Sequence, residues 1–226
     1  YDIKRLHCEI FDILKKVREM TRPEDKQTPI FKTNEMIWSN NEIDNEYLKS
    51  WFAEQSLKEL TCYRNLIFSE GYHYCDLLKI ILSRSARSAR LTTHYDLDFP
   101  KKPQKEPYYC YKHSRICKPV QEAYKFLNRY SIDTVKRIDE FSKKQTDAFV
   151  RVEHVDNRDA DVPPIDGVIT SPPYVGLIDY HEQHVYAYHL LGLTDLRDKE
   201  IGPASNGSNS KAKEEYQTNI GNVFKR

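Results

Sequence analysis

An α/β protein is what the sequence predicts. A mainly helical region over residues 1 to 147, carrying a basic loop insertion at about 92 to 118, precedes part of a sheet and a following helix over residues 148 to 226. Three observations lead there. Apolar residues recur at three- and four-residue intervals through most of the N-terminal part, as they do in helices that bury one face. The period then changes to alternation in "AFVRVEHVD", which sets Phe149 and Arg151 against Val150 and Val152, as in a strand. A second run, "DGVIT", follows and is short and apolar enough to lie buried on both faces, like a central strand of an α/β sheet.

Ile3, Leu6, Ile10, Ile13, Leu14 and Val17 draw the first helix, which Pro23 helps to end. The prolines and polar residues of "TRPEDKQTPIFKTNE" make a loop. Helical spacing resumes through Leu48, Phe52, Leu57, Leu60 and Leu66, and Gly71 separates this helix from a third, "YHYCDLLKIILSRSARSAR". Residues 92 to 118 are rich in proline, lysine and tyrosine and lack a period, so they read as a long ordered loop. Pro119 suits the first turn of the next helix, carried by Tyr124, Leu127, Tyr130, Val135 and Ile138. After the second strand, "IDYHEQHVYAYHLLGL" is helical, with Val185, Tyr188, Leu190 and Leu191 expected in the core and Gly192 as its stop. "GPASNGSNSKAKEE" reads as a mobile linker, and Trp38 and Trp51 as core residues.

Composition bounds the function. The 226 residues are 31% charged and 39% apolar, with a net charge of +1, which is globular and neither disordered nor polycationic. With no apolar run of membrane-spanning length and no signal-peptide pattern, a cytoplasmic protein is expected. Cys8, Cys62, Cys75, Cys110 and Cys117 are odd in number and scattered, which fits reduced thiols. Positive charge is local: ten Lys or Arg against three acids lie between Lys79 and Lys118. Arg84, Arg87 and Arg90 close the third helix, where cations suit the helix dipole and are equally placed for nucleic-acid phosphate. "CYKHSRIC" brings Cys110, His113 and Cys117 into one short window, but the spacing is not that of a standard finger. The fourth ligand would have to be His94 or Cys75 recruited in space, so no metal is expected. His181, His184 and His189 are assigned to packing or surface.

The stretch that carries chemistry is "ITSPPY". A central strand's carboxyl end is where ligands bind in an open α/β sheet, and "DGVIT" delivers Ser171, Pro172, Pro173 and Tyr174 there. The prolines restrict the backbone and remove two N–H donors. What remains is a set of acceptors, the Ser171 hydroxyl and the nearby carbonyls, beside the flat ring of Tyr174. Acceptors grip amine protons and an aromatic face stacks on a planar ring, so the group that fits is a nucleobase with an exocyclic amine, turned out of its duplex.

"ITSPPY" also resembles the catalytic motif of the DNA amino-methyltransferases, and its serine resembles the cytosine-N4 branch; the adenine-N6 branch usually carries aspartate there. "VEHVDNRDADVPPIDGVITSPPY" is similar to the strand, acid, turn and strand that precede the motif in that family, with Asp156 where an acid lies near the cofactor adenine. "WFAEQSLKEL", the arginine-ended helix and "EIG" near Ile201 resemble the region between cofactor loop and motif in one subset, and the likeness covers about residues 45 to 220. It implies a partial Rossmann-like fold, S-adenosylmethionine as cofactor, and double-stranded DNA as substrate in a restriction-modification system. It makes Ser171 and the Pro172 carbonyl the amine acceptors and Tyr174 the stacking platform. The family's glycine-rich cofactor loop is not matched, because the seven glycines form no G-x-G. The expectation is therefore a fragment, or one piece of a split enzyme, inactive without the segment or partner subunit that carries this loop. Adenine-N6 methylation and a catalytically silent DNA-binding subunit remain alternatives.

Overall fold

The computed structural model describes residues 2–22, 45–94, 96 and 100–224, which form two compact units. One comprises Tyr1–Gln145 with Val185–Leu193, the other Thr146–His184 with Thr194–Arg226. In the first unit, α1 (Ile3–Thr21) starts where the Asp2 carboxylate accepts the Arg5 N–H, and it buries Leu6, Ile10, Ile13, Leu14 and Val17. Pro23, the loop after it and Trp38 lie outside the described residues.

The single helix expected after residue 43 is two, α2 (Glu46–Trp51) and α3 (Glu54–Ser69). Phe52 between them is extended, with φ −125° and ψ 145°, and its ring is buried in the core. The Trp51 carbonyl released by the break accepts the Leu91 N–H at 2.8 Å, so the interruption leaves that acceptor satisfied. Then come α4 (Cys75–Ala89) and α5 (Tyr124–Ser142). Leu78, Ile81, Leu82 and Ala86 of α4 join Leu57, Leu60, Tyr63 and Leu66 of α3 in one apolar cluster.

Glu59 of α3 ties this bundle together from a fully buried position. One carboxylate oxygen accepts the Ala123 and Tyr124 amides, each at 2.7 Å, and so caps α5 from another helix. The other accepts Arg22 Nε at 2.9 Å, Arg22 Nη2 at 2.7 Å and Gln55 Nε2 at 2.8 Å. This cap sets the start of α5 at Tyr124, later than the start expected near Pro119.

The stretch expected to be a loop holds a hairpin, β1 (Tyr108–Cys110) paired antiparallel to β2 (Arg115–Cys117). Tyr108 opposes Cys117 and Cys110 opposes Arg115. Three-residue strands are too short to show a period in sequence. α6 (Tyr180–Leu191) begins in the second unit, while its half from Val185 onward belongs to the first. Tyr186, Ala187 and Leu190 are its fully buried residues in the first unit, and Val185, Tyr188 and Leu191 are only partly covered. Gly192 adopts φ +64° and the Leu193 N–H reaches back to the Tyr188 carbonyl at 3.0 Å, the closure that a glycine after the last turn permits.

In the second unit the segments expected to be strands have no regular secondary structure and no strand partner among the described residues. Phe149, Val150, Val152, Val168 and Ile169 are exposed, and the hairpin is the only sheet among the described residues. An apolar segment becomes a strand only when neighbours take up its backbone groups and cover its faces, and the described residues supply none here. The architecture is thus helices with a small sheet, and the Rossmann-like sheet does not form among the described residues. The last six residues of the expected linker are helix: α7 (Ser210–Phe224) is capped by Asn209, whose side chain accepts the Ala212 N–H at 2.9 Å. No helix among the described residues is long and apolar enough to cross a membrane.

Candidate functional site

Ser171 and Pro172 are exposed, Pro173 is half-buried, and Tyr174 shows 57% of its surface to solvent. The motif is nevertheless seated, because the chain after it turns sharply and is pinned. Gly176, at φ +68°, forms the turn Val175–Leu177 and donates its N–H to the Gly202 carbonyl at 3.1 Å. The Ala204 N–H bonds the Ile178 carbonyl at 3.2 Å, and the Tyr216 hydroxyl of α7 donates to the Pro173 carbonyl at 2.8 Å. Among the described residues the Ser171 hydroxyl and the Pro172 carbonyl have no hydrogen-bond partner, so the two acceptors assigned to an amine are open to take one.

Gly202 is required by this seat. It sits at φ +67°, and a Cβ there would lie 2.9 Å from the Tyr216 ring and 3.2 Å from Val175 Cα. "EIG" therefore supports the motif physically: the Glu200 carboxylate accepts the Tyr180 N–H at 2.6 Å at the start of α6, and Gly202 takes the turn. Asp179 accepts the Glu182 N–H at 3.2 Å as a helix cap. Sequence reasoning missed Tyr216, Gly176 and Gly202; the two glycines were visible in "YVG" and "EIG", but nothing local marked Tyr216.

Asp156 is engaged by a neighbour. Its two oxygens take Arg158 Nε at 2.9 Å and Nη2 at 2.6 Å, together with the Arg158 amide at 3.0 Å. Bonding to the Arg158 side chain and backbone holds its carboxyl down to about 2. The same guanidinium donates to the Lys199 carbonyl at 3.0 Å, next to the motif's seat. His181 is buried between acid and base, with Asp195 3.4 Å from Nδ1 and the Arg197 guanidinium 3.3 Å from Nε2. His189 lies on the surface with its ring 5.0 Å from that of Tyr47.

The three helix-end arginines diverge. Arg84 pairs with Asp133 at 2.6 Å and lies over the Tyr130 ring at 4.4 Å. Arg90 is only 2% exposed, with its guanidinium 4.6 Å from the Tyr186 ring, and burial lowers its pKa. Arg87 is exposed. Three-residue steps around a helix drift by about 60° each, enough over two steps to send one arginine into the core and another out. The three therefore do not share one exposed face as their spacing suggested: Arg90 is a buried packing cation, Arg84 is partly exposed and paired with an acid, and Arg87 is exposed. The hairpin region brings His94, and not Cys75, to Cys110, His113 and Cys117.

Over 198 residues the chain is 42% identical to the Type II methyltransferase M.MjaII of Methanocaldococcus jannaschii, an alignment that takes in 80% of this chain and 37% of that one. The chain therefore spans little more than a third of this relative's length. No family model and no solved structure matches the chain. The identity supports the likeness to DNA methyltransferases carried by the Ser-Pro-Pro-Tyr motif.

Proposed function

We propose that this chain carries the base-receiving part of a site-specific DNA amino-methyltransferase that modifies cytosine at N4 in a restriction-modification system. The observation that carries the reading is the pair of open acceptors at Ser171 and Pro172 beside the exposed Tyr174 ring, in a chain similar to a type II methyltransferase. S-adenosylmethionine is the methyl source implied by the family. The residues described do not fit it: Asp156 is closed on Arg158, and the glycines at the turn are packed against neighbouring chain.

The chain's own residues act on the base. An amine conjugated to a pyrimidine ring is a poor nucleophile because its lone pair is delocalised. Accepting one N–H at the Ser171 hydroxyl and the other at the Pro172 carbonyl directs both hydrogens away from the attacking face and turns the lone pair toward it. The Tyr174 ring stacks on the base, offsetting part of the few kcal/mol spent in unstacking it. Tyr216 and Gly202 hold the loop behind these groups, so the acceptors need little reorganisation when the base arrives.

The experiment is methyl transfer to duplex DNA by the full-length protein that contains this chain, with the modified nucleoside identified by mass spectrometry. N4-methylcytosine, lost on Ser171→Ala, supports the proposal. N6-methyladenine moves it to the adenine branch. DNA binding by that protein without any transfer would favour the silent-subunit reading.

A further inference from the structure

We propose that His94, Cys110, His113 and Cys117 form a tetrahedral zinc site that orders the basic hairpin. This rests on the first unit alone and is independent of the methyltransferase reading.

One ligand atom from each of the four lies within 4.8 Å of every other. His113 Nδ1 is 3.5 Å from both the Cys110 and Cys117 sulfurs, and His94 Nδ1 is 3.6 Å from Cys110 Sγ. A zinc ion with Zn–S of about 2.3 Å and Zn–N of about 2.0–2.1 Å at tetrahedral angles has S···N edges of about 3.5–3.6 Å. Three edges of such a tetrahedron are already present. The other separations are at most 4.8 Å, so closing them onto the roughly 3.3–3.8 Å edges of the same tetrahedron needs a movement of no more than about 1.5 Å.

Hydrogen bonding alone serves this arrangement poorly. A neutral imidazole nitrogen that accepts has one lone pair, yet two thiols approach His113 Nδ1, and the Cys110 thiol at 3.6 Å crowds His94 Nδ1 beside the Tyr108 hydroxyl at 3.0 Å. A divalent cation takes all four donors at once, with two thiolates cancelling its charge. The thiols point inward, Cys110 being fully buried and Cys117 7% exposed.

The elements explain how the sequence reaches this geometry. In the hairpin register Cys110 and Cys117 lie diagonally on one face of the ribbon, and the turn between them places His113, whose amide bonds the Cys110 carbonyl at 3.1 Å. Ser114 at φ 49° lets the chain reverse there. His94 comes from the far side of the insertion, where its amide donates to the Tyr108 hydroxyl at 3.0 Å and its ring lies 4.6 Å from that of His113.

The hairpin also lacks the alternative means of being ordered. Tyr109 and Ile116 on its other face are 49% and 64% exposed, and a ribbon this short has no stability of its own. Metal coordination supplies folding free energy where a core does not. It would fix Lys112, Arg115 and Lys118 on a rigid support.

The test is elemental analysis of the 226-residue chain purified under reducing conditions without chelator, followed by cobalt exchange. The expected result is one zinc per chain, with cobalt giving the intense visible bands of a tetrahedral thiolate site. Cys117→Ser and His113→Ala should lose both signals, while Cys8→Ser, on α1, keeps them. His113 is exposed, so its variant tests ligation even if a cysteine variant fails to fold. Less than about a tenth of an equivalent of metal with no cobalt bands would overturn the proposal. So would a Cys110–Cys117 disulfide found by thiol counting on protein handled without oxidant.

Discussion

Replacing Glu59 by glutamine tests the packing of the first unit at one atom. Five N–H groups converge on its two oxygens, three from Arg22 and Gln55 and two from the Ala123 and Tyr124 amides. Glutamine keeps the shape but offers one acceptor oxygen and one NH2. If the oxygen stays with the α5 amides, which cannot turn away, the NH2 faces the Arg22 guanidinium and repels it. Arg22 is a quarter exposed and still pairs with Glu122, so it can move. The loss is then the charge-assisted pairing and the strain of one misplaced donor, about 2–4 kcal/mol. Alanine leaves both amides without an acceptor as well, and should cost about 3–5 kcal/mol. At roughly 2–4 °C per kcal/mol for a domain of this size, Glu59→Gln should lower Tm by about 10 °C in a thermal melt followed by circular dichroism. Hydrogen exchange should show the Ala123 and Tyr124 amides losing protection first in the alanine variant. A glutamine variant within about 0.5 kcal/mol of the parent would refute the claim that this carboxylate joins the helices.

Other expectations follow from single contacts. Gly202→Ala forces a side chain into φ +67° and against the Tyr216 ring, costing the second unit about 1–2 kcal/mol and loosening the Pro173 seat. Nuclear magnetic resonance shift changes at residues 173 to 178, with α3 and α4 unperturbed, would check this. Arg87→Ala should weaken duplex binding across sequences and reduce its salt slope by about 1, whereas Arg90→Ala should chiefly destabilise the fold, as titrations at several salt concentrations against melts would show. The folded pKa of Asp156, about 2, lies below its ordinary 3.8. Its contribution is therefore fully present well above pH 3.8 and is lost as pH falls through about 2, a loss that Arg158→Ala, which removes the guanidinium but keeps the amide, should reduce in an acid titration followed at the second unit.

Helices with a repeating apolar stripe were legible in the sequence, as α1 shows, because burial of one face writes itself at three- and four-residue spacing. The break at Phe52 was not, since the carbonyl that it frees is taken by Leu91, far along the chain. Arginine spacing on α4 was visible, but the burial of Arg90 depends on Tyr186, nearly a hundred residues away. The paired strands failed to appear because pairing needs neighbours that the described residues do not provide. At the candidate site, Ser171 to Tyr174 stood out through their unusual chemistry. Their support by Tyr216 and Gly202, and the arrival of His94 beside the hairpin thiols, are products of folding that no short window contains.

The most direct test of the central claim is the transfer assay on the full-length protein with labelled methyl donor, duplex DNA and two variants. Ser171→Ala and Tyr174→Ala should each cut transfer by about a hundredfold or more while melting at the parent's temperature, with N4-methylcytosine as the product of the unaltered protein. Transfer undiminished in both variants would contradict the account.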